Sequence, residues 1–439
     1  VEDIARARIG KDVKQVKSDA DAQSVQSTIK QTLAQPLSAD DAVQIALLNN
    51  RGLQAVYGEL GIAEAGLVQA GRLRNPGFSF ARLIRGDEKE IERAYMFDFL
   101  GLITMPLRGK LEGRRFEQAK LMVAGEMLQV AAQTRNAYYG ALAAQESVKY
   151  SGQVQLAAET SAELARRMAR VGNWGTLQQA REQLFYAEAT AQLARAKQAA
   201  VAERERLTRL MGLWGEDVQF KLPDRLPDLP ASPRELTDIE NQALTQRLDI
   251  QAAKQETAGM AESLGLTKAT RFINVLELSY LRNSETGKPR QTGYEIELSI
   301  PLFDWGGARL AKAEAAYMQS AHRLAEIAVN ARSQVRESYS GYRTAYDLAK
   351  HYRDEIVPLR KKIAEQNLLR YNGMLIGVFE LIADAREQVI SVNAYIEALR
   401  DFWLMESNLQ MALAGKSPGS AGAAPKPAAM TSGATGGGH

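Results

Sequence analysis

Residues 294–302 have the sequence Tyr-Glu-Ile-Glu-Leu-Ser-Ile-Pro-Leu, and this stretch decides the fold. Apolar and polar side chains alternate along it, and a period of two is typical of a β-strand. The apolar face of such a strand comprises Tyr294, Ile296, Leu298 and Ile300. Two glutamates and a serine occupy the opposite face, so the stretch predicts a strand with one apolar and one acidic side.

The same pattern occurs about 200 residues earlier, where Tyr95-Met-Phe-Asp-Phe99 is followed by Met105-Pro-Leu107. Other segments recur in the same order and at a similar separation. They are Asn50–Ala55 with Gln246–Ala252, Gln133–Gly140 with Gln334–Gly341, and Ala180–Gln183 with Ala385–Gln388. Because all the matches keep their order, the chain is predicted to be a tandem duplication of a helix, a β-hairpin and a long helical hairpin.

The predicted boundaries follow from this repeat. Residues 1–36 form an N-terminal extended segment, and residues 416–439, which are rich in Gly, Ala, Ser and Pro, form a disordered tail. The first repeat is 37–231, with strands at about 75–84 and 94–106 and a helical hairpin at about 110–212. The second repeat is 232–415, with strands at about 271–282 and 291–302 and a hairpin at about 307–413. Ser38 and Ser232 are each predicted to cap the first helix of a repeat.

The helical hairpins are predicted to be long coiled coils. Residues 110–170 contain no proline, and a helix of that length would extend for roughly 90 Å. In the first repeat the expected seam is Leu177, Ala180, Leu184, Ala187, Ala191 and Ala194. In the second repeat it is Ile382, Ala385, Val389, Val392, Ile396, Leu399 and Trp403. Both sets keep the 3-4 spacing of an interhelical seam.

Composition argues against an enzyme. Among 439 residues there is no cysteine and there are three histidines, which leaves no thiolate nucleophile, disulfide or thiolate metal site. His351 and Glu355 are expected to form a surface pair on a helix. The glycines at 109–113 and 306–307 are interpreted as bends between strand and helix. We therefore expect no catalytic residue, no cofactor and no metal site, and the near-balanced charge gives no reason to expect a nucleic acid partner.

The strand pairs permit two interpretations. A small sheet packed on helices is the commoner outcome of such a pattern, whereas strands of about ten residues with an apolar and an acidic face also describe a transmembrane β-barrel. Small barrels need about eight strands, so the four strands of one chain could close a barrel only together with other chains.

Several segments resemble the outer-membrane efflux factor family, the TolC-like trimeric channel-tunnels. The resemblance is carried by Arg247-Leu-Asp-Ile-Gln-Ala-Ala253, by Ile300–Ala308 and by Arg370–Leu381, and it extends over about 37–415. It implies a mainly α fold with a small β part, in which a homotrimer forms a 12-stranded transmembrane β-barrel continuous with a 12-helix periplasmic α-barrel. It also implies the outer membrane of a Gram-negative bacterium as location, and a periplasmic adaptor (membrane fusion) protein and an inner-membrane efflux pump as partners.

The candidate site residues lie near the two helical turns. Candidates for a periplasmic gate are Glu380, Asp384, Arg386 and Arg181. Candidates for adaptor-docking tips are Gly172, Asn173, Trp174, Gly175, Arg370, Tyr371, Gly373 and Gly377. In a trimer, three copies of each acid would surround one axis and favour cations. Outside a trimer the same acids would be a solvated helix face.

The expected function is a passive, porin-like outer-membrane channel that exports metal ions or small toxic compounds delivered by the pump. The alternative is a soluble periplasmic coiled-coil scaffold or adaptor, which would also need long heptads but would stay soluble without detergent.

Overall fold

The computed structural model describes residues 6–8, 10–11, 13–271, 276–298 and 303–415. The chain is mainly helical and carries one four-stranded sheet. It divides into two compact units, each drawn from both predicted repeats. The first unit comprises 1–134, 205–222 and 244–332, and the second comprises 135–204, 223–243 and 333–439.

The elements are numbered here in chain order. The helices before the sheet are α1 (Asp19–Leu33), α2 (Ala39–Asn49) and α3 (Arg51–Ala70). The first hairpin is β1 (Gly77–Arg85) and β2 (Glu88–Asp98), followed by α4 (Phe99–Arg170) and α5 (Thr176–Met211). Next come α6 (Ile239–Gln246), α7 (Leu248–Ala269), β3 (Leu276–Glu285) and β4 (Gln291–Leu298). The chain continues with α8 (Gly307–His351), a π-turn (Tyr352–Ile356), α9 (Val357–Asn372) and α10 (Val378–Ala414).

The first β-hairpin is tighter than predicted. The polar segment expected to be a loop pairs instead, with Arg85 opposite Glu88, and Gly86 takes a φ of +60° in the two-residue turn. The predicted second strand at 94–106 is wrong at both ends, since β2 covers 88–98. It stops because the Asp98 carboxylate accepts a hydrogen bond from the Gly101 amide at 2.6 Å and caps α4.

Consequently α4 begins at Phe99, before the predicted start at about 110, and it contains 72 residues. Gly109 and Gly113 lie inside this helix, so the bend expected there is wrong. The bend expected at Gly306 is confirmed: its φ is +71° and α8 begins at the next residue. An added Cβ at Gly306 would lie 2.9 Å from the Arg271 carbonyl oxygen, which leaves room for glycine alone.

The second hairpin matches its prediction more closely within the described residues. β4 begins at 291 as expected, and β3 extends to Glu285, past the expected 282. The remaining predicted strand residues, 272–275 and 299–302, lie outside the described part of the chain.

The four strands form one antiparallel sheet in the order β1-β2-β3-β4. The two hairpins therefore pair side by side through β2 and β3. Strands β1 and β4 are the two edges of the described sheet, and each leaves one row of backbone groups without a strand partner.

The helix preceding each hairpin is interrupted near its start. Ser38 caps α2 with the predicted capping box, in which Asp41 is the reciprocal partner. The chain then breaks at Asn50, whose side chain caps α3. In the second repeat, the cap predicted at Ser232 is wrong, because α6 begins only at Ile239. The amide of Arg234 donates instead to the Tyr342 hydroxyl at 2.9 Å, and residues 233–236 have no regular secondary structure.

The Arg247–Ala253 motif forms the break between α6 and α7. Arg247 is 1% exposed, and its guanidinium donates to both carboxylate oxygens of Asp249, at 3.0 and 2.6 Å. A buried arginine is costly without such a partner. The spacing Arg-x-Asp therefore supplies a charge and its counter-charge at the same turn, while Leu248 and Ile250 pack into the core.

In the second unit, the proline-rich residues 223–233 connect the two repeats, and side chains of the helices bind their backbone. The Tyr346 hydroxyl lies 3.1 and 2.9 Å from the Pro230 and Ala231 carbonyls, and Trp403 Nε1 donates to the Pro227 carbonyl at 3.1 Å. Proline cannot donate a backbone hydrogen bond, so carbonyl acceptors are what this segment offers. Aromatic packing supports these contacts, because Tyr139 stacks on Trp403 and Tyr342 packs against Phe402.

Two further expectations concern the chain ends. The N-terminal segment is not wholly extended, because residues 19–33 form α1 with Ser18 as its cap. The acids at its first turn favour a helix there. The predicted disordered tail, 416–439, lies outside the described residues.

Candidate functional site

One face of the sheet carries a continuous set of apolar side chains. The register sets Phe78 beside Tyr95, Tyr95 beside Tyr280 and Tyr280 beside Tyr294. We call these four residues the aromatic row; each strand contributes one ring, and all four are exposed. The rings of Phe78 and Tyr95 are 5.1 Å apart. Toward the strand ends that connect to helices, the same face continues with apolar side chains, which are Phe97, Leu278, Ile296, Leu276 and Leu298.

The opposite face is acidic, as the alternating sequence predicts. Asp98 lies beside Glu277, and Glu277 lies beside Glu297, so three carboxylates form one row across three strands. Glu295 lies on the same face, opposite Ser279. Like charges directly opposite each other destabilise a sheet. Arg74, at 3.4 Å from Asp98, compensates one end of the row.

The two helical turns share one hydrogen-bonding pattern. At the first, the Asn173 amide donates to the Met168 carbonyl at 3.0 Å, and Gly172 between them has a φ of +75°. At the second, the Leu375 amide donates to the Arg370 carbonyl at 2.8 Å. Both are the six-to-one bond of a Schellman helix end.

The residue in the left-handed conformation differs between the turns. At the second turn it is Met374, with a φ of 57°, and not the neighbouring Gly373. The tip residues Gly172, Asn173, Gly175, Arg370, Gly373 and Gly377 are exposed, whereas Trp174 and Tyr371 are half-buried. A non-glycine residue with positive φ is uncommon and its backbone is strained. The strained residue here is Met374, which is 93% exposed.

The gate candidates are only partly brought together. Glu380 is exposed in the first turn of α10, and Asp384 follows one helical turn later with its Oδ2 atom buried and without a hydrogen-bond partner among the described residues. Arg181 is exposed on α5 and forms no ion pair with either acid in the part of the chain described. Arg386 belongs to α10, and its side chain lies outside the description.

Sequence reasoning missed a buried acid next to Arg181. Glu182 is 2% exposed, and one of its carboxylate oxygens accepts a hydrogen bond from Ser161 Oγ at 2.8 Å across the first helical hairpin. Close to the same turn, the Arg167 guanidinium, 3.0 Å from Glu163, lowers the pKa of that carboxyl group. The burial of Glu182 could have been predicted from its position on the helix, since it lies on the same side of α5 as Phe185 and Ala189.

The seam predicted for α5 does not pack within the chain. Leu177 is 65% exposed and Leu184 is 58% exposed, and the alanines of that seam are exposed as well. The hairpin packs instead through Ala189, Phe185 and Tyr186 against Val154 and Ala158 of α4. The second-repeat seam differs, because Ile396 and Leu399 are buried. The first hairpin thus has two apolar stripes. The heptad stripe, which is the predicted seam from Leu177 to Ala194, has no partner in the described chain.

Comparison with known proteins shows that part of the chain is similar to one family. Residues 240–372 match the family described as Outer membrane efflux protein. The match covers 133 of the 439 residues, which is less than half of the chain. The matched residues include the Arg247 motif and α8 with the bend that precedes it. They also include β3 and β4, which carry Glu277, Glu295 and Glu297 of the acidic face.

Individual relatives are similar to longer parts of the chain. The chain is 25% identical over 285 residues to the cobalt-zinc-cadmium resistance protein CzcC of Cupriavidus metallidurans, in an alignment that covers 62% of this chain and 64% of that protein. The chain therefore spans less than two thirds of the length of this curated relative. The fold is that of the outer-membrane channel OprN, with a TM-score of 0.72, 18% identity and coverage of 92% of this chain and 98% of that one. It is also that of the CmeC outer membrane channel of Campylobacter jejuni, with a TM-score of 0.72, 15% identity and coverage of 86% and 85%.

The family match and the relatives support the expected location in the outer membrane, with an extension into the periplasm. Within the described residues, none of the helices is sufficiently long and apolar to cross a membrane.

Proposed function

We propose that three copies of this chain form a passive outer-membrane channel of a tripartite efflux system and that the channel exports cations, with divalent metal ions as the first candidates. The observation that carries the proposal is the sheet, which has one exposed apolar face, one acidic face and two open edges. In lipid, open sheet edges must be paired, and a closed barrel removes them.

The strand number supports closure by copies of the same chain. With four strands in each chain, the last strand runs antiparallel to the first, so β1 of a second copy can pair with β4 and continue the alternation. Three copies of four strands give a barrel of 12. The unpartnered heptad stripe on α5 supports the same assembly, because a second copy can cover Leu177 and Leu184.

Cation export is supported by charge. In the barrel, the row of Asp98, Glu277 and Glu297 would face the lumen and occur three times around the axis, and rings of carboxylates favour cations. The similarity to a cobalt-zinc-cadmium resistance protein agrees with that selectivity. The chain has no chemistry of its own in this proposal, so an inner-membrane pump supplies the energy and a periplasmic adaptor docks at the helical tips.

Alanine variants of the gate candidates Glu380 and Asp384 test the proposed function. If Glu380 and Asp384 surround the axis at the tunnel mouth, replacing both by alanine removes six carboxylates from the constriction of a trimer. We expect a lower cation-to-anion permeability ratio and a changed resting conductance of the purified channel in a planar bilayer. Asp384 Oδ2 is buried and has no hydrogen-bond partner among the described residues, which supports a position where solvent screens its charge weakly.

The matched control is the variant Asp347→Ala with Glu397→Ala. Both are exposed helical acids away from the tips, so the net charge changes equally. An unchanged permeability ratio in the gate variant would place the constriction elsewhere and make these acids a solvated helix face.

A further inference from the structure

Beyond the aromatic row, toward the hairpin turns, the apolar face of the sheet also carries basic side chains. There the register sets Arg93 opposite Phe80 and Arg282 opposite Thr292. Farther toward the turns, Arg82 lies opposite Ile91 and Lys89 lies opposite Ile84. We call Arg82, Lys89, Arg93 and Arg282 the basic band.

Charges are sorted between the two faces of the sheet. Every acid of the four strands lies on the face opposite the basic band; they are Glu88, Glu90, Glu92, Asp98, Glu277, Glu285, Glu295 and Glu297. The side chains of the band form no ion pair within the described residues. The Arg93 guanidinium lies 5.9 Å from the Phe80 ring centre, which holds it on the apolar face.

Arg93 and Arg282 are neighbours across the pairing of β2 with β3. Ala94 pairs with Leu281, and the next residue on each strand, in the same register, sets the two arginines side by side. Two like charges in this arrangement destabilise a sheet unless an anion lies between them. The sheet itself supplies no such anion on that face.

The membrane boundary can be located from the same residues. Tyrosine and other aromatic side chains are enriched where hydrocarbon meets the lipid headgroups. An arginine facing lipid is unfavourable near the bilayer centre and becomes tolerable near the interface. The boundary therefore lies between the aromatic row and the basic band, which puts the guanidinium groups at the depth of the headgroup phosphates.

From this arrangement we infer that the basic band binds the phosphate headgroups of anionic lipids in the leaflet around the hairpin ends. The inference rests on the proposed function, because it requires the apolar face to be in a bilayer. Arginine suits this role because its planar guanidinium can donate two parallel hydrogen bonds to one phosphate.

The test measures thermal stabilisation of the full-length protein in mild detergent. Diphosphorylated lipid A is titrated in one series, and the dephosphorylated lipid with the same acyl chains in another. We expect the phosphorylated lipid alone to raise the unfolding temperature of the native protein. In the variant Arg93→Gln with Arg282→Gln, the apparent affinity should fall roughly 30-fold, since each basic residue near the lipid surface contributes about a fivefold factor in affinity.

The matched control is Arg85→Gln with Lys288→Gln, which removes the same charge from the opposite face and the turn. Equal stabilisation by both lipids, or an equal loss in the control, would overturn the inference. So would inorganic phosphate that reproduces the shift at the same concentration. If the double variant does not fold, the comparison of the two lipids on the native protein still decides.

Failure of the inference can be distinguished from failure of the proposed function. The same native preparation is placed in a planar bilayer. Conductance without a preference for the phosphorylated lipid would contradict the basic band alone, whereas absence of conductance would contradict the channel.

Discussion

The variant Leu177→Glu with Leu184→Glu is expected to lose the trimer and to migrate in mild detergent with the mass of one chain. Both leucines are largely exposed in the single chain, so their replacement should change the folding of one chain by little. Burying a leucine stabilises an interface by about 1.5–3 kcal/mol, and burying an unpaired carboxylate opposes it strongly. Six altered side chains in a trimer therefore oppose association.

The control is Thr190→Glu, an exposed position on the flank of the same helix, about a quarter of a turn from the stripe. It adds the same side chain outside the expected interface, and we expect it to remain trimeric. A double leucine variant that keeps the mass of three chains would show that the α5 stripe is not an interface between copies.

The second large effect is expected at Leu298, which lies on the apolar face four residues beyond Tyr294 of the aromatic row. If this face lies in lipid, Leu298→Arg should disfavour the folded, inserted state by about 2–4 kcal/mol, as measured for basic residues near a bilayer midplane. Refolding into lipid vesicles, followed by urea titration, measures the difference.

Glu297→Arg is the matched control for this variant. Residues 297 and 298 are adjacent and both exposed, but they lie on opposite faces, so the same new side chain is placed toward water in one and toward lipid in the other. We expect Glu297→Arg to insert almost as well as the native protein. If it disrupts insertion more than Leu298→Arg does, the two faces are assigned in reverse.

The strands illustrate what local patterns predict well. The period of two in residues 294–298 is sufficient to sort apolar from acidic side chains, and the register of the sheet agrees with it. The end of β2 was not predictable from that pattern. It depends on one hydrogen bond from the Asp98 side chain, and the apolar residues that follow fit a strand or a buried helix equally well.

The α5 seam illustrates a different limit. A heptad of Leu and Ala predicts that a helix has an apolar partner, but it does not specify which helix or which chain supplies it. The partner within the chain uses a second stripe around Phe185 and Ala189, which a single-seam reading overlooks.

The central claim is that several copies of this chain close one channel. The most direct measurement is the mass of the purified native protein in mild detergent, by native mass spectrometry or by light scattering corrected for bound detergent. We expect three chains and no stable smaller species, because a single four-stranded sheet leaves two open edges in lipid. A folded, stable monomer would contradict it.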